Sequence, residues 1–308
     1  VPTSIRTSGR VGTQRDALGS DGEFFGTDPV PVEVEISDGR GMALTADENG
    51  FELLSDPLEH VDYYDNLEVV GRYYGQCEDL VRRATGASAV VAFDHNLRAK
   101  QKKDAGEHLR GGNAVQEPLI QYGVHNDYTL TSAPARIELL SQPLRLNDTL
   151  RQVRGSEPLI DPSRLDELLG GRWAFFNVWR NVSQVPVERF PLAMCDAATV
   201  SPSELVVFEI RYADRVGENY FARHSAAHRW HYFPRMTKDE VVLLKVWDSR
   251  GRDFVEPRVE LASLGSPDGA PSTVNATFAL HSGFVDPATP PEAPDRESIE
   301  VRLVAFFS

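Results

Sequence analysis

Val124-His125-Asn126-Asp127, and far downstream Thr277-Phe278-Ala279-Leu280-His281 followed by Asp295-Arg296-Glu297-Ser298-Ile299-Glu300-Val301-Arg302, are the stretches on which the reading of this chain turns. Each couples an apolar, strand-like run to side chains that can do chemistry. In an extended strand alternate residues share a face, so His125 and Asp127 point the same way. By the same rule residues 296, 298, 300 and 302 share one face of the terminal strand. Two imidazoles and a carboxylate delivered by separate strands form a metal-ligating set, and they direct the reading toward a sheet-built site.

Strand signals dominate beyond Gly170-Gly171. Trp173–Trp179, Leu205–Ile210, Arg229–Phe233, Val241–Trp247, Thr277–His281 and Ser298–Phe307 are short apolar or aromatic runs separated by Pro- and Gly-bearing loops. That texture predicts an antiparallel sandwich or barrel. Upstream, Ala89–Phe93 and Leu119–Asp127 read as further strands, and the alternation of Val30, Val32, Val34 and Ile36 predicts a half-buried strand over 30–36. Helical spacing appears from Asn66 to Thr85, with Gly86 placed as its C-terminal cap. Shorter helical patterns run over Ala135–Leu140 and Pro162–Leu169. Residues 1–30 lack an apolar period and are expected to form a flexible arm, leaving 31–308 as one domain. The polar segment 99–117 carries Lys100, Lys102, Lys103 and Arg110 and has the length of a lid or binding loop.

The totals exclude several classes of function. A net charge of −14, with 46 acidic against 32 basic residues, argues against a nucleic-acid backbone as partner. No apolar run reaches the length of about 18 residues needed to span a membrane. The opening residues Val1–Arg6 carry no apolar secretory core. The two cysteines, Cys77 and Cys195, are too few for a disulfide scaffold. The expectation is a soluble cytoplasmic protein. Cys77 lies on the apolar stripe of the 66–85 helix and reads as a buried thiol rather than a nucleophile.

The chain holds a second His-x-Asp triplet, His60-Val61-Asp62, but it sits among Asp56, Glu59 and Asp65 without strand sequence ahead of it. For the distant histidine the candidates are His224, His228, His231 and His281. His224 and His228 have the helical zinc spacing, yet Ser225-Ala226-Ala227 between them supplies no glutamate base. His228 and His231 face opposite sides of a strand. His281 closes a strand and is followed by Arg296 and Ser298. A set of His125, Asp127 and His281 matches the facial triad of non-haem Fe(II) oxygenases, which leaves three adjacent positions open.

These motifs resemble those of the Fe(II)/2-oxoglutarate-dependent oxygenases, in which His-x-Asp, a distant His and Arg-x-Ser recur in this order. Several segments are similar to the asaB-type hydroxylase/desaturase and CmcJ-like group. They include Asp94-His95-Asn96-Leu97-Arg98, Asn177-Val178-Trp179-Arg180, Pro191-Leu192-Ala193-Met194-Cys195-Asp196, His228-Arg229-Trp230 and Trp247-Asp248-Ser249. Two departures are Asn181, where that group carries proline, and Ser282-Gly283-Phe284 in place of Thr-Ala-Phe.

The resemblance implies a mainly β protein with flanking helices, built as a double-stranded β-helix (a jelly-roll, cupin-like barrel). It implies Fe(II) held by His125, Asp127 and His281, with 2-oxoglutarate as cosubstrate and O2 as oxidant. The cosubstrate's far carboxylate would meet Arg296 and Ser298, a charged fork plus a hydroxyl. Arg302, on the same face, either meets the near carboxylate or pairs with Glu300. Arg98, Tyr122, Asn177, Trp179 and Arg180 are the candidates for a substrate pocket. The expected reaction is hydroxylation, desaturation or ring closure at a C–H bond in specialised metabolism, releasing succinate and CO2. A cupin-type metal enzyme without 2-oxoglutarate and a metal-free jelly-roll binding module are the alternatives.

Overall fold

The terminal apolar run and the run beginning at Ala89 lie side by side in the computed structural model, antiparallel from Glu297↔Ala99 to Phe306↔Ala89. The structure describes residues 2–5, 11–15, 21–29, 31–105, 115, 116, 118, 123–145, 148–213, 215–252 and 275–308. Among them are strands β1 (Pro2–Ile5), β2 (Val11–Arg15), β3 (Asp21–Phe25), β4 (Thr27–Pro29), β5 (Ile36–Asp38), β6 (Phe51–Ser55), β7 (Ala89–Ala99) and β8 (His125–Asn126). They continue as β9 (Arg172–Asn181), β10 (Leu192–Cys195), β11 (Leu205–Arg211), β12 (Val216–Ala222), β13 (Trp230–Tyr232), β14 (Glu240–Asp248), β15 (His281–Gly283) and β16 (Glu297–Phe307).

One sheet has the order β6-β14-β9-β16-β7 and is antiparallel throughout. The other has the order β3-β2-β11-β12-β8-β15-β10-β13-β5, and β1 pairs with β4 separately. The two large sheets face each other as a double-stranded β-helix, and rings meet across the gap. Phe51 of the first sheet lies 6.1 Å from His231 and 6.3 Å from Phe233 on the β13 side of the second.

Strand parity decides what lies inside. On β16 the side chains of Ile299, Val301 and Leu303 are fully buried. Their face is shared with Val178 and Arg180 of β9 and Leu97 of β7. Helix α2 (Tyr74–Thr85) packs against β7 and β16 on this side. The opposite face of the same three strands carries Ser298, Glu300, Arg302, Asn177, Trp179, Asp94, Asn96 and Arg98, and it turns toward the barrel interior. The polar face of these strands is therefore the inner one.

Helix α1 (Asn66–Glu68) passes through a π-turn at Val69–Tyr73 into α2, and the whole covers the predicted helix. Gly86 ends it at φ 72°, its N–H donating to Arg82 O, as a left-handed cap requires. Cys77 is buried in this helix, and burial pushes its thiol up to about 12.

Four expectations change. Residues 11–15 and 21–29 are not a loose arm: β2 adds in parallel to β11, and β3 pairs with β2. Gly12 permits this, because a Cβ there would meet the Glu209 carbonyl at 2.3 Å. The predicted strand over 30–36 shrinks to Ile36–Asp38, since residues 31–35 have no neighbouring strand and Val34 is exposed. Thr277–Leu280 is buried but not strand, crossing β14 through Ala279 N–H donating to Lys245 O at 3.0 Å; strand begins only at His281. In the segment 99–117, Lys100–Asp104 is a helix, and most of the remainder lies outside the described residues.

Beneath α2, Arg180 is buried against the Asp56 carboxylate, donates to the Asp56 and Lys238 carbonyls at 2.8 and 2.7 Å and meets Tyr73 Oη at 3.0 Å. Removing one partner of such a pair strands a charge in the interior. Arg180→Ala is expected to lower unfolding free energy by about 3–5 kcal/mol in urea titrations.

His95 faces the same layer, its Nδ1 2.9 Å from Tyr74 Oη and its Nε2 without a hydrogen-bond partner. Burial pulls its pKa down to about 4, with Asp94 opposing and Arg302 assisting. The unfolded chain therefore takes up the proton first. Stability is full above the unfolded value of about 6.5 and falls as the pH drops toward 4, by about 3 kcal/mol from this group. A His95→Gln protein should show a shallower fall in thermal midpoint between pH 7 and 4.5 than the wild type.

Candidate metal centre

His125 sits in a two-residue strand, and its register partners are His281 of β15 and Phe221 of β12. Register partners project from the same face of a sheet, so the two imidazoles lie side by side with centroids 4.6 Å apart. Asp127 follows two residues later on that face. Its Oδ1 lies 3.8 Å from His125 Nε2 and 4.0 Å from His281 Nε2. The ligand atoms of all three residues fall within 4.8 Å of one another, and among the described residues this is the one group of His, Cys, Asp and Glu so placed.

The opposite ring nitrogens fix the tautomers. His125 Nδ1 is 3.0 Å from Gly123 O and His281 Nδ1 is 3.2 Å from Ala279 O. A backbone carbonyl can only accept, so each Nδ1 carries the proton and each Nε2 presents a lone pair toward Asp127. Gly123 holds its carbonyl in place at φ 136°, with the Phe221 ring where a Cβ would stand. Burial, with the neighbouring His281, lowers the His125 pKa to about 4, so the ring is neutral at ordinary pH. Burial alone would raise the Asp127 pKa. Arg302, His281, His125 and the Asn177 hydrogen bond outweigh it and hold the carboxyl well below its usual range. Two neutral imidazoles and an ionised carboxylate fit a divalent first-row metal.

The other Asp127 oxygen, Oδ2, accepts from Asn177 Nδ2 at 2.8 Å and lies 3.5 Å from Arg302 Nε. Asn177 thus touches the candidate ligand itself, which makes it a holder of Asp127 first and a pocket residue second. Between the two readings of Arg302, the structure shows the pairing with Glu300, at 2.9 Å, and adds Asp94 at 3.1 Å. The guanidinium therefore lies between carboxylates on the inner face.

Farther along the inner face lies Arg296, 5 % exposed. Its Nη1 donates to the Phe190 carbonyl, its guanidinium lies 5.4 Å from the Trp179 ring, and its Nε has no hydrogen-bond partner. Burial and the like charge of Arg98 draw its pKa down to about 9, against the pull of Glu300. A buried cation with an unmet donor is costly unless an anion joins it. Ser298, buried two residues later, is the register partner of Arg98 and Asn181. Phe190, whose carbonyl holds Arg296, sits at φ 56°, an uncommon conformation for an aromatic residue.

Arg180 is not in this site, because strand parity sends it to the helical side. Trp179 faces inward, and Arg98 shares that face. Tyr122 lies outside the described residues. His60 is exposed and apart from the cluster, while His228 Nε2 is 2.8 Å from Glu204 Oε2. Sequence reasoning offered Glu300 as a partner of Arg302 but missed Asp94 and Asn96, which the register of β7 and β16 brings beside it.

The family described as "Oxidoreductase/YMDC permease-like domain" matches residues 14–306. The Fe(II)/2-oxoglutarate-dependent dioxygenase nvfI of Aspergillus novofumigatus (strain IBT 16806) is 30% identical over 285 residues, covering 90% of this chain and 84% of that protein. This chain belongs to the Fe(II)/2-oxoglutarate-dependent dioxygenase family. The hydroxylase/desaturase CTB9 of Cercospora beticola is 30% identical over 250 residues, 76% of this chain and 71% of that one. Among solved structures, the iron and α-ketoglutarate-dependent endoperoxidase NvfI superposes with a TM-score of 0.72 over 97% of this chain and 92% of its own, at 24% identity, and shares the fold. No helix among the described residues is long and apolar enough to cross a membrane.

Proposed function

We propose that this dioxygenase oxidises a C–H bond of a small molecule, with Fe(II) on His125, Asp127 and His281 and the far carboxylate of 2-oxoglutarate on Arg296 and Ser298. The convergence of two Nε2 lone pairs and one Asp127 oxygen on a single point carries the reading. When bound, Fe(II) with 2-oxoglutarate and O2 supplies the oxidant that removes a substrate hydrogen, and the cosubstrate leaves as succinate and CO2.

The protein's own residues supply position and dryness. Gly123 and Ala279 carbonyls keep both imidazoles in the ligating tautomer, and Asn177 holds Asp127. Arg296 keeps a buried, unmet Nε donor, which would recognise a carboxylate through charge-assisted hydrogen bonds. The Trp179 ring beside it and the packed sheets exclude water, strengthening that interaction. The acidic balance of the chain and its two buried free cysteines favour a small-molecule substrate and a reducing, cytoplasmic setting.

The test is succinate release from 2-oxoglutarate under air, with and without Fe(II), across a panel of small apolar and oxygenated metabolites. Iron-dependent succinate that rises with a panel compound supports the proposal. Iron binding with no succinate under any compound would favour a metal enzyme that does not use 2-oxoglutarate. Absence of iron binding would leave a metal-free binding module.

A further inference from the structure

We infer that Arg302 is a positioning residue that makes Asp127 a one-oxygen ligand, and that Asp94, Asn96 and Glu300 hold Arg302 for that task. The inference rests on the metal reading above. It begins from how the two Asp127 oxygens are divided. Oδ1 faces both histidine Nε2 atoms, at 3.8 and 4.0 Å. Oδ2 faces away, toward Asn177 Nδ2 at 2.8 Å and Arg302 Nε at 3.5 Å. With Oδ2 occupied by these donors, the carboxylate has one oxygen free for a metal.

The guanidinium that does this is itself fully engaged. Arg302 Nη1 donates to Asp94 Oδ2 at 3.1 Å and Nη2 to Glu300 Oε1 at 2.9 Å. Asn96, with its amide turned to satisfy both groups, accepts from Nη2 at 2.8 Å and from Nη1 at 2.9 Å. Asp94 is anchored in turn by Thr149 Oγ1 at 3.2 Å. These contacts account for the four Nη donors of the arginine and leave Nε–H facing Asp127 as an ion pair, a planar arrangement that lysine cannot reproduce.

The sheet explains why the group assembles. Arg302 is the register partner of Asp94 on one side and Asn177 on the other, and Glu300 is the partner of Asn96. Three adjacent strands therefore bring the clamp and its supports to the height of the Asp127 carboxylate. Orienting partners of metal ligands typically change metal affinity by about 10- to 100-fold when removed.

The experiment measures Fe(II) affinity by anaerobic calorimetry and the Co(II) visible spectrum, on the full chain, for wild type, Arg302→Met, Arg302→Lys and Asn96→Ala. Expected are a rise in metal Kd of about 10- to 100-fold for Arg302→Met, a smaller rise for Arg302→Lys and Asn96→Ala, and a changed Co(II) spectrum as the Asp127 carboxylate loses one of its two orienting partners. The KM for 2-oxoglutarate, taken at saturating Fe(II), should stay within about twofold of wild type. An unchanged metal Kd in Arg302→Met overturns the inference, as does a raised 2-oxoglutarate KM with metal affinity intact. If Arg302→Met does not fold, Asn96→Ala decides by the same two readouts. Wild type that binds no metal would overturn the proposed function along with this inference; wild type that binds metal equally well with and without Arg302 overturns this inference alone.

Discussion

Asp127→Ala is expected to lose Fe(II) binding and, with it, all succinate formation. Metal sites of four ligands bind with about 10–16 kcal/mol, so one ligand accounts for about 3 kcal/mol. At 1.4 kcal/mol per tenfold, that is a loss of on the order of 100-fold in affinity. Asp127 should exceed this, because it is the site's one anionic ligand and its removal leaves Arg302 facing the metal with two neutral imidazoles. His125→Ala and His281→Ala should each fall by about the single-ligand amount. His60→Ala, exposed and remote from the cluster, should bind as wild type does. Anaerobic calorimetry with Fe(II) checks all four. Normal iron affinity in His281→Ala would mean that another histidine completes the site.

Arg296→Met should raise the KM for 2-oxoglutarate by about 30-fold or more while leaving Fe(II) affinity unchanged. Truncating one partner of a buried, hydrogen-bonded charge pair costs about 2–5 kcal/mol, which spans about 30- to 5,000-fold. The same substitution should leave the stability of the ligand-free protein unchanged or higher. Arg296 is buried with an unmet Nε and, among the described residues, no carboxylate in hydrogen-bond contact, so a methionine removes a desolvated charge, which offsets the loss of its bond to the Phe190 carbonyl. Thermal melts with and without 2-oxoglutarate check both statements. The cosubstrate should raise the midpoint of wild type and not of Arg296→Met. A variant that keeps the wild-type KM would remove Arg296 from the cosubstrate site.

Much of this site was readable because the needed information is local. The parity of a strand puts His125 with Asp127, and residues 296, 298, 300 and 302 together, whatever the rest of the chain does. Arg180 went astray for the same reason. Parity separated it from Asn177 and Trp179, but only a neighbour such as Asp56 or Tyr73 reveals which side is the interior. Asn177 was legible as an inner-face residue and illegible as a holder of Asp127, because that bond joins positions 50 apart. The first strands escaped notice because β2 pairs with β11 nearly two hundred residues away, and nothing within residues 11–15 announces that edge.

Sequence by itself determined the chemistry on offer: two imidazoles, a carboxylate, and a strand face reading Arg, Ser, Glu, Arg. It determined that strands would carry them, since the apolar runs leave no other way to bury their surface. Only the tertiary structure decided which face of β16 is inside. A half-buried strand normally turns its polar side to water; here α2 covers the apolar side, and the polar side closes on the opposing sheet. Only the structure placed Arg302 between Asp94, Glu300 and Asp127, because that arrangement depends on Asp94 and Asn96 arriving on the next strand at the same height. Register between distant strands is a property of the packed sheets, and no single strand encodes it.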